Sequence, residues 1–318
     1  MTDILHYRVP NQGKIKEKGV FKKVNSFQSV EGFILSSFLK EEKFVFEKNA
    51  ETNDRDFIRH SPYCLSENEY LTQATSFLEE LKKKKIAKAI FSRVKELAIY
   101  HSAEELFDKL CSQYPNAFVY LISSSCFGSW IGASPEILLT VDGYEAETIA
   151  LAGTMRTTDS SLWRGKEIEE QQLVTDFISN KLSGLEVENR VQFPREELIA
   201  GSIKHLSTRF KFRTQFELQE KIIDTLHPTP AVSGSPQKKA IELIGKYEKH
   251  NRSLYAGVIG FISKEETQLF VNLRCAQLID NKAYLYIGGG FTKKSNIRDE
   301  WLETESKAET LQKVFQKK

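Results

Sequence analysis

AFVYLISS (117–124), SWIGASPEILLTV (129–141) and AETIALAGTM (146–155) follow one another with only short turns between them. Each is rich in β-branched and aromatic residues and reads as a strand. Connections this short permit antiparallel neighbours only, because parallel neighbours need a crossover of a dozen or more residues. GVIGFI, TQLFVNLRCAQL and AYLYIGGG repeat the pattern towards the C-terminus. Between the two meanders lies RGKEIEEQQLVTDFISNKLSGL (164–185), an amphipathic helix closed by Gly184. Two strand-rich regions separated by helices predict an α+β fold: a single domain with two antiparallel-type β-sheets packed together and flanked by helices.

Around this frame, residues 1–60 are mixed, with GFILSSF (32–38) and KFVFEK (43–48) as short strands. A helix runs from Glu67 to Lys85, with Tyr70, Ala74, Phe77, Leu78 and Leu81 along one face. Its KKKK end (82–85) is a solvated terminus favoured by the helix dipole. AKAIFSRV (87–94) reads as a strand, and AEELFDKLCSQY (103–114) and QKKAIELIGKYEKH as helices, with a last helix from about Asn296. LHPTPAVSGSP (226–236) holds three of the eight prolines and so is neither helix nor central strand. It reads as a loop whose path matters.

The chain has 318 residues, 40% hydrophobic and 28% charged, with a formal net charge of +2. That is a globular composition, and it lacks the basic field expected of a nucleic-acid binder. Cys64, Cys111, Cys126 and Cys275 are far apart, with neither a disulfide framework nor zinc-like spacing. There is no apolar signal core and no run of membrane-spanning length. The expectation is a cytoplasmic protein with no nucleic-acid or membrane partner.

Several residues invite chemistry. Glu167 and Glu170 stand at i,i+3 on one helix, and Glu300 and Glu303 on another. Each pair shares a face, and two such faces opposed would offer the hard oxygen ligands that Mg²⁺ prefers. Such pairs also arise by chance and then lie on solvated helix surface. Strand alternation puts Lys88 on one face with Ile90 and Ser92, so it is either a desolvated base or a snorkelling edge-strand lysine. Glu136, between Ser-Pro and an apolar run, is either a buried acid or a strand cap. Arg274 interrupts an apolar strand, where arginine commonly binds a carboxylate or makes a salt bridge. GGG at 288–290 permits close backbone approach or merely a turn. His227 is either a ligand or structural.

The order of the motifs adds what single residues lack. KAIFSR, GASPE, LAGTMR, KEIEEQQLV, KHLST, LHPTPAVSG, YAGVIG, LRCAQL, GGGF and EWLETESK run in sequence from Lys88 to Lys307, about 70% of the chain. Together they resemble the chorismate-utilising enzyme family, which includes anthranilate synthase component I, aminodeoxychorismate synthase component I, salicylate synthase and isochorismate synthase. The resemblance implies the family's chorismate-binding fold over residues 1–318, with a shortened N-terminal region (about 1–66) and a motif-bearing core (67–318). It also implies a dianionic substrate, chorismate, and the cofactor Mg²⁺.

By the same resemblance, Glu170 and Glu303 would hold the metal, with Glu167 and Glu300 supporting it through water. The substrate's ring carboxylate would meet that metal, Lys307, Gly153 and Thr154. Its enolpyruvyl carboxylate would meet Arg274 and Tyr255, with backbone at Gly288 and Gly290 and with His205 nearby. Ammonia-using members resemble one another in having Gln at the position of Lys88. Lysine there, together with the LHPTPAVSG form of the proline loop, looks like the isochorismate synthase branch. Lys88 would then activate water for attack at C2, and Glu136 would protonate the departing C4 hydroxyl. Thr229, Ala231 and Val232 would shape a pocket wall, with His227 structural. No glutaminase partner is expected, and by analogy a monomer is.

Salicylate synthase also uses the lysine and remains an alternative, as does a non-catalytic binding protein. The chain departs from the family pattern in GGGF, where Gly-Ala-Gly-Ile is usual, and in Gln171, where His usually follows the metal-helix acid. Its product would serve either menaquinone or catechol siderophore synthesis, since the same chemistry feeds both.

Overall fold

The computed structural model describes residues 2–51, 60–160, 162–163, 165–200 and 203–316, without the side chains of Thr154, Arg156, Ala200 and Ile203. In chain order the described strands are β1 (Asp3–Arg8), β2 (Ile15–Val24), β3 (Gly32–Ser36), β4 (Lys43–Lys48), β5 (Lys88–Ala98), β6 (Phe118–Ser124), β7 (Gly128–Ser134), β8 (Ile137–Asp142), β9 (Glu145–Arg156), β10 (Glu188–Gln192), β11 (Glu196–Ala200), β12 (Ile203–Arg213), β13 (Gly234–Ser235), β14 (Val258–Ile262), β15 (Glu266–Val271), β16 (Cys275–Ile279) and β17 (Lys282–Thr292). The helices are α1 (Glu67–Lys83), α2 (Ala103–Gln113), α3 (Gly165–Ser183), α4 (Gln219–Leu226), α5 (Gln237–Tyr247) and α6 (Ile297–Phe315).

Every strand pairing is antiparallel. One run of neighbours reads β13-β5-β17-β16-β7-β6-β1. A second reads β4-β3-β14-β15-β8-β9-β12, with β10 and β11 sharing the far edge of β12. The two runs meet in β2, whose first half (Ile15–Gly19) pairs with β1 and whose second half (Gly19–Val24) pairs with β4. At this hinge a Cβ on Gly19 would lie 2.1 Å from the Glu47 carbonyl oxygen, so no larger residue fits. The expected pair of antiparallel sheets is therefore present, joined through one shared strand into a single hydrogen-bonded ladder.

Alternation along the strands explains the layers. Phe118, Tyr120 and Ile122 of β6 face inward, into a core shared with Phe33 and Leu35 of β3 and Phe270 of β15. The Phe118 and Phe270 rings stack across that core at 4.6 Å. Val119, Leu121 and Ile131 face the other way and pack under α2 and α6. Helix α1 buries the predicted stripe of Tyr70, Ala74, Phe77, Leu78 and Leu81 against β5 and α5. Capping boxes at Ser66 and Ser102 start α1 and α2, and Asn296 caps α6. No helix among the described residues is long and apolar enough to cross a membrane.

Two of the predicted strands are each divided. SWIGASPEILLTV breaks at Pro135-Glu136 into β7 and β8, and TQLFVNLRCAQL breaks at Asn272–Arg274 into β15 and β16. Pro135 lacks the amide a ladder needs, and Arg274 has a positive φ of 49°. In both places the chain passes from one sheet to the other. The two crossings lie side by side: Val271 N donates to Glu136 O (2.9 Å) and Ala133 N donates to Arg274 O (3.0 Å). Asn272 fastens the junction. It accepts from the Tyr120 hydroxyl (2.7 Å) and donates through Nδ2 to Leu254 O (2.9 Å), while its backbone pairs with Ala256 and Gly257. Asn272→Ala leaves the Tyr120 hydroxyl and the Leu254 carbonyl unpaired in the core, so denaturant titration should show a loss of about 2–4 kcal/mol.

Candidate active site

The crossings, the start of β5, the GGG stretch of β17, the start of α3 and the middle of α6 enclose a cleft of about 110 Å³, open at its mouth. Of the residues singled out from sequence, Lys88, Glu136, Gly153, Glu167, Glu170, His205, Tyr255, Arg274, Gly288, Gly290, Glu303 and Lys307 all line it. Glu300 sits behind this lining, 1% exposed. Thr154 lies on β9 opposite His205, and its side chain is outside the described set.

Lys88 is not a snorkelling edge residue. β5 runs between β13 and β17, and the Lys88 side chain is 3% exposed. The proline loop seals that end. Between cis bonds at His227-Pro228 and Ser235-Pro236, Gly234 and Ser235 form β13 along Ala89 and Lys88. A Cβ on Gly234 would strike Lys88 O at 2.2 Å. Ala231 and Val232 reach the cleft, whereas Thr229 is buried outside its lining. His227 is structural: its Nε2 bonds Phe38 O (3.1 Å), and burial pushes its pKa down to about 3.

The GGG stretch gives this lysine room. A Cβ on Gly290 would press on Lys88 Cε at 3.1 Å, and one on Gly288 would meet the Tyr255 hydroxyl at 2.8 Å. Close approach, not turning, is what these glycines supply. Gly153, at φ 71°, similarly lets β9 pass the backbone of Glu167.

The charges divide by wall. Arg274 and Glu136 project from the crossings. Burial pushes the Glu136 carboxyl up to about 7, and Lys88, Arg274 and Lys307 only partly offset it. His205 donates from Nδ1–H to Gly153 O (2.8 Å), and burial lowers its pKa to about 4, so the ring is neutral.

On the opposite wall, lysines meet three of the four glutamates: Glu170, Glu300 and Glu303. Lys88 Nζ is 3.6 Å from Glu170 Oε2, and Lys307 Nζ is 2.6 Å from Glu303 Oε1 and 3.0 Å from Gly288 O. Lys166 Nζ is 2.7 Å from Glu300 Oε1 and 3.9 Å from Glu170 Oε1. Burial and the neighbouring Glu303 raise Glu300. Burial opposes charge on Glu303 as well, but Lys307 outweighs it and holds Glu303 low.

Sequence reasoning missed Lys166, although its place beside Glu167 and at i,i+4 from Glu170 was a signal. It also missed the buried pair behind Lys88. Arg252 donates to both Glu248 oxygens (2.8 and 2.7 Å), to Val232 O (2.8 Å) and to Ile90 O (3.1 Å). Glu248 in turn accepts from the Ser92 amide and hydroxyl. The pair ties the proline loop to β5 at the height of the cleft.

The donor set suits a hard divalent cation: four carboxylates, with Oε2 of Glu167 and of Glu300 buried and unpartnered. Among the described residues no three acidic, histidine or cysteine side chains converge on one point, and Lys166 stands between the two helices.

A family model described as chorismate binding enzyme matches residues 23–316. Isochorismate synthase EntC of Escherichia coli (strain K12) is 27% identical over 300 residues, which are 88% of this chain and 75% of that protein. Among solved structures, DhbC from Bacillus anthracis aligns with a TM-score of 0.82 at 20% identity, over 98% of this chain and 96% of that one. MenF, the menaquinone-specific isochorismate synthase from Escherichia coli, aligns with a TM-score of 0.81 at 19% identity, over 99% and 89%. Likenesses at such identities carry the fold, and the family match spans almost the whole length. The chain belongs to the chorismate-binding enzyme family.

Proposed function

We propose that this protein is an isochorismate synthase that adds water at C2 of chorismate and expels the C4 hydroxyl. The observation that carries the reading is a buried lysine and a carboxyl raised to about 7 lining the same cleft. Lys88 takes a proton from the attacking water. Glu136, protonated below pH 7, gives one to the departing hydroxyl. One water enters and one leaves, the ring double bonds shift, and no covalent intermediate forms. A lysine in place of glutamine at position 88 favours water over ammonia as nucleophile, so no glutaminase partner is needed.

Arg274 and the Tyr255 hydroxyl hold the enolpyruvyl carboxylate by charge-assisted bonds. Lys307, His205 and the backbone at Gly153, Thr154, Gly288 and Gly290 surround the rest of the substrate. Glu170 and Glu303, supported by Glu167 and Glu300, are the residues that would hold Mg²⁺. When bound, the ion neutralises the ring carboxylate, which would otherwise face four glutamates. The similarity to EntC supports the same branch. We further propose that the chain acts as a monomer in the cytoplasm.

Proton NMR of chorismate with the protein and Mg²⁺ tests the reading directly. New isochorismate signals that need Mg²⁺ and ignore ammonium are expected. Pyruvate with salicylate would move the protein to the lyase branch, and an unchanged spectrum would refute turnover. Lys88→Met and Glu136→Gln should each lower kcat by about 10²–10⁴-fold while the fold persists.

The pH profile follows from the sign of the Glu136 shift. The acid must be protonated, so kcat/KM should fall as pH rises through about 7, and in residual activity Glu136→Gln should lack that limb. The same raised value favours the folded state below the ordinary carboxylate range and loses that contribution as pH rises through about 7.

A further inference from the structure

We propose that Lys166 is a built-in counter-cation, which a divalent ion displaces from the carboxylates of α3 and α6. The inference rests on the magnesium reading above. Lys166 bridges the two helices, touching Glu300 at 2.7 Å and approaching Glu170 at 3.9 Å. It is the second residue of α3, in the first turn, where the helix dipole disfavours a cation. Its local partner, Glu170 at i,i+4, is 3.9 Å away, whereas its close contact is Glu300 on the other helix.

Glu300 is 1% exposed and its Oε2 has no partner, and Glu167 Oε2 is likewise alone. Holding such acids ready for a cation is costly while nothing neutralises them. Lys166 supplies one positive charge at that place. Its side chain keeps 27% of its surface exposed, so the ammonium has a path to water along a flexible stem. The exchange balances simply: an ammonium carrying one charge leaves for solvent, a divalent ion enters, and Lys307 stays on Glu303.

Lys166 thus competes with the metal while stabilising the metal-free fold. Calorimetric titration of Mg²⁺ into substrate-free, EDTA-treated protein tests this, comparing wild type with Lys166→Met and Lys166→Arg. Lys294→Met is the control, because Lys294 neutralises exposed Glu169 on the same helix away from the cleft. Lys166→Met should bind Mg²⁺ about ten-fold or more tightly than wild type, melt at a lower temperature in EDTA, and recover on adding Mg²⁺. Lys166→Arg and Lys294→Met should bind as wild type does. If Lys166→Met does not fold without metal, Lys166→Gln, which keeps a hydrogen bond to Glu300 but no charge, should show the same gain. Measurable binding in wild type with equal or weaker affinity in the neutral variants overturns the displacement and leaves the magnesium reading standing. Silence in wild type and neutral variants alike overturns both.

Discussion

Two backbone hydrogen bonds, Val271 N to Glu136 O and Ala133 N to Arg274 O, hold together the point on which this molecule depends. There two strands leave one sheet for the other, side by side, and each spends its irregular residues on chemistry. A strand interior would point the Glu136 and Arg274 side chains out from a face of one sheet. A crossing turns them into the space between. Asn272, bonded on both its side chain and its backbone, makes the junction rigid enough to aim a carboxyl and a guanidinium into one cleft.

The electrostatics of the cleft follow from what lines it. The crossings and β5 bring Arg274 and Lys88 to the cleft, whereas the helices present carboxylates. Lysines stand on those carboxylates at 2.6–3.9 Å. Burial sets the rest. Glu136 has no direct ion-pair partner among the described residues and keeps its proton to about pH 7, whereas Glu303, with Lys307 upon it, stays ionised. Two carboxyls in one pocket are thus assigned to different work by their neighbours.

The sequence showed the helices well, because a 3.6-residue stripe such as Tyr70–Leu81 is visible without a partner. The central strands were equally plain. The breaks at Pro135 and Arg274 were not, because an apolar run looks the same on either side of a sheet change. β1 was missed because its buried residues include the polar Asp3, His6 and Arg8, and β2 because its exposed Lys16 and Lys18 dilute the apolar pattern. Most candidate site residues converge as the ordered motifs implied. Lys166 and the Glu248–Arg252 pair carried only an ordinary i,i+4 spacing and Asn272 no local mark, because what gives each its role is a contact with residues distant in sequence.

The crossings have a corollary for how the chain is made. Neither sheet is a contiguous stretch of sequence: β5 pairs with β17 across nearly two hundred residues, and β7 waits for β16. On a ribosome, the helix and strand pattern of the first half emerges long before its partners do, with the edges of β5 and β7 unpaired. Folding dominated by such distant pairings is slow and exposes apolar strands meanwhile. The arrangement that places acid and arginine side by side in the finished protein also keeps the growing chain from completing its first sheet until the last strand has been synthesised.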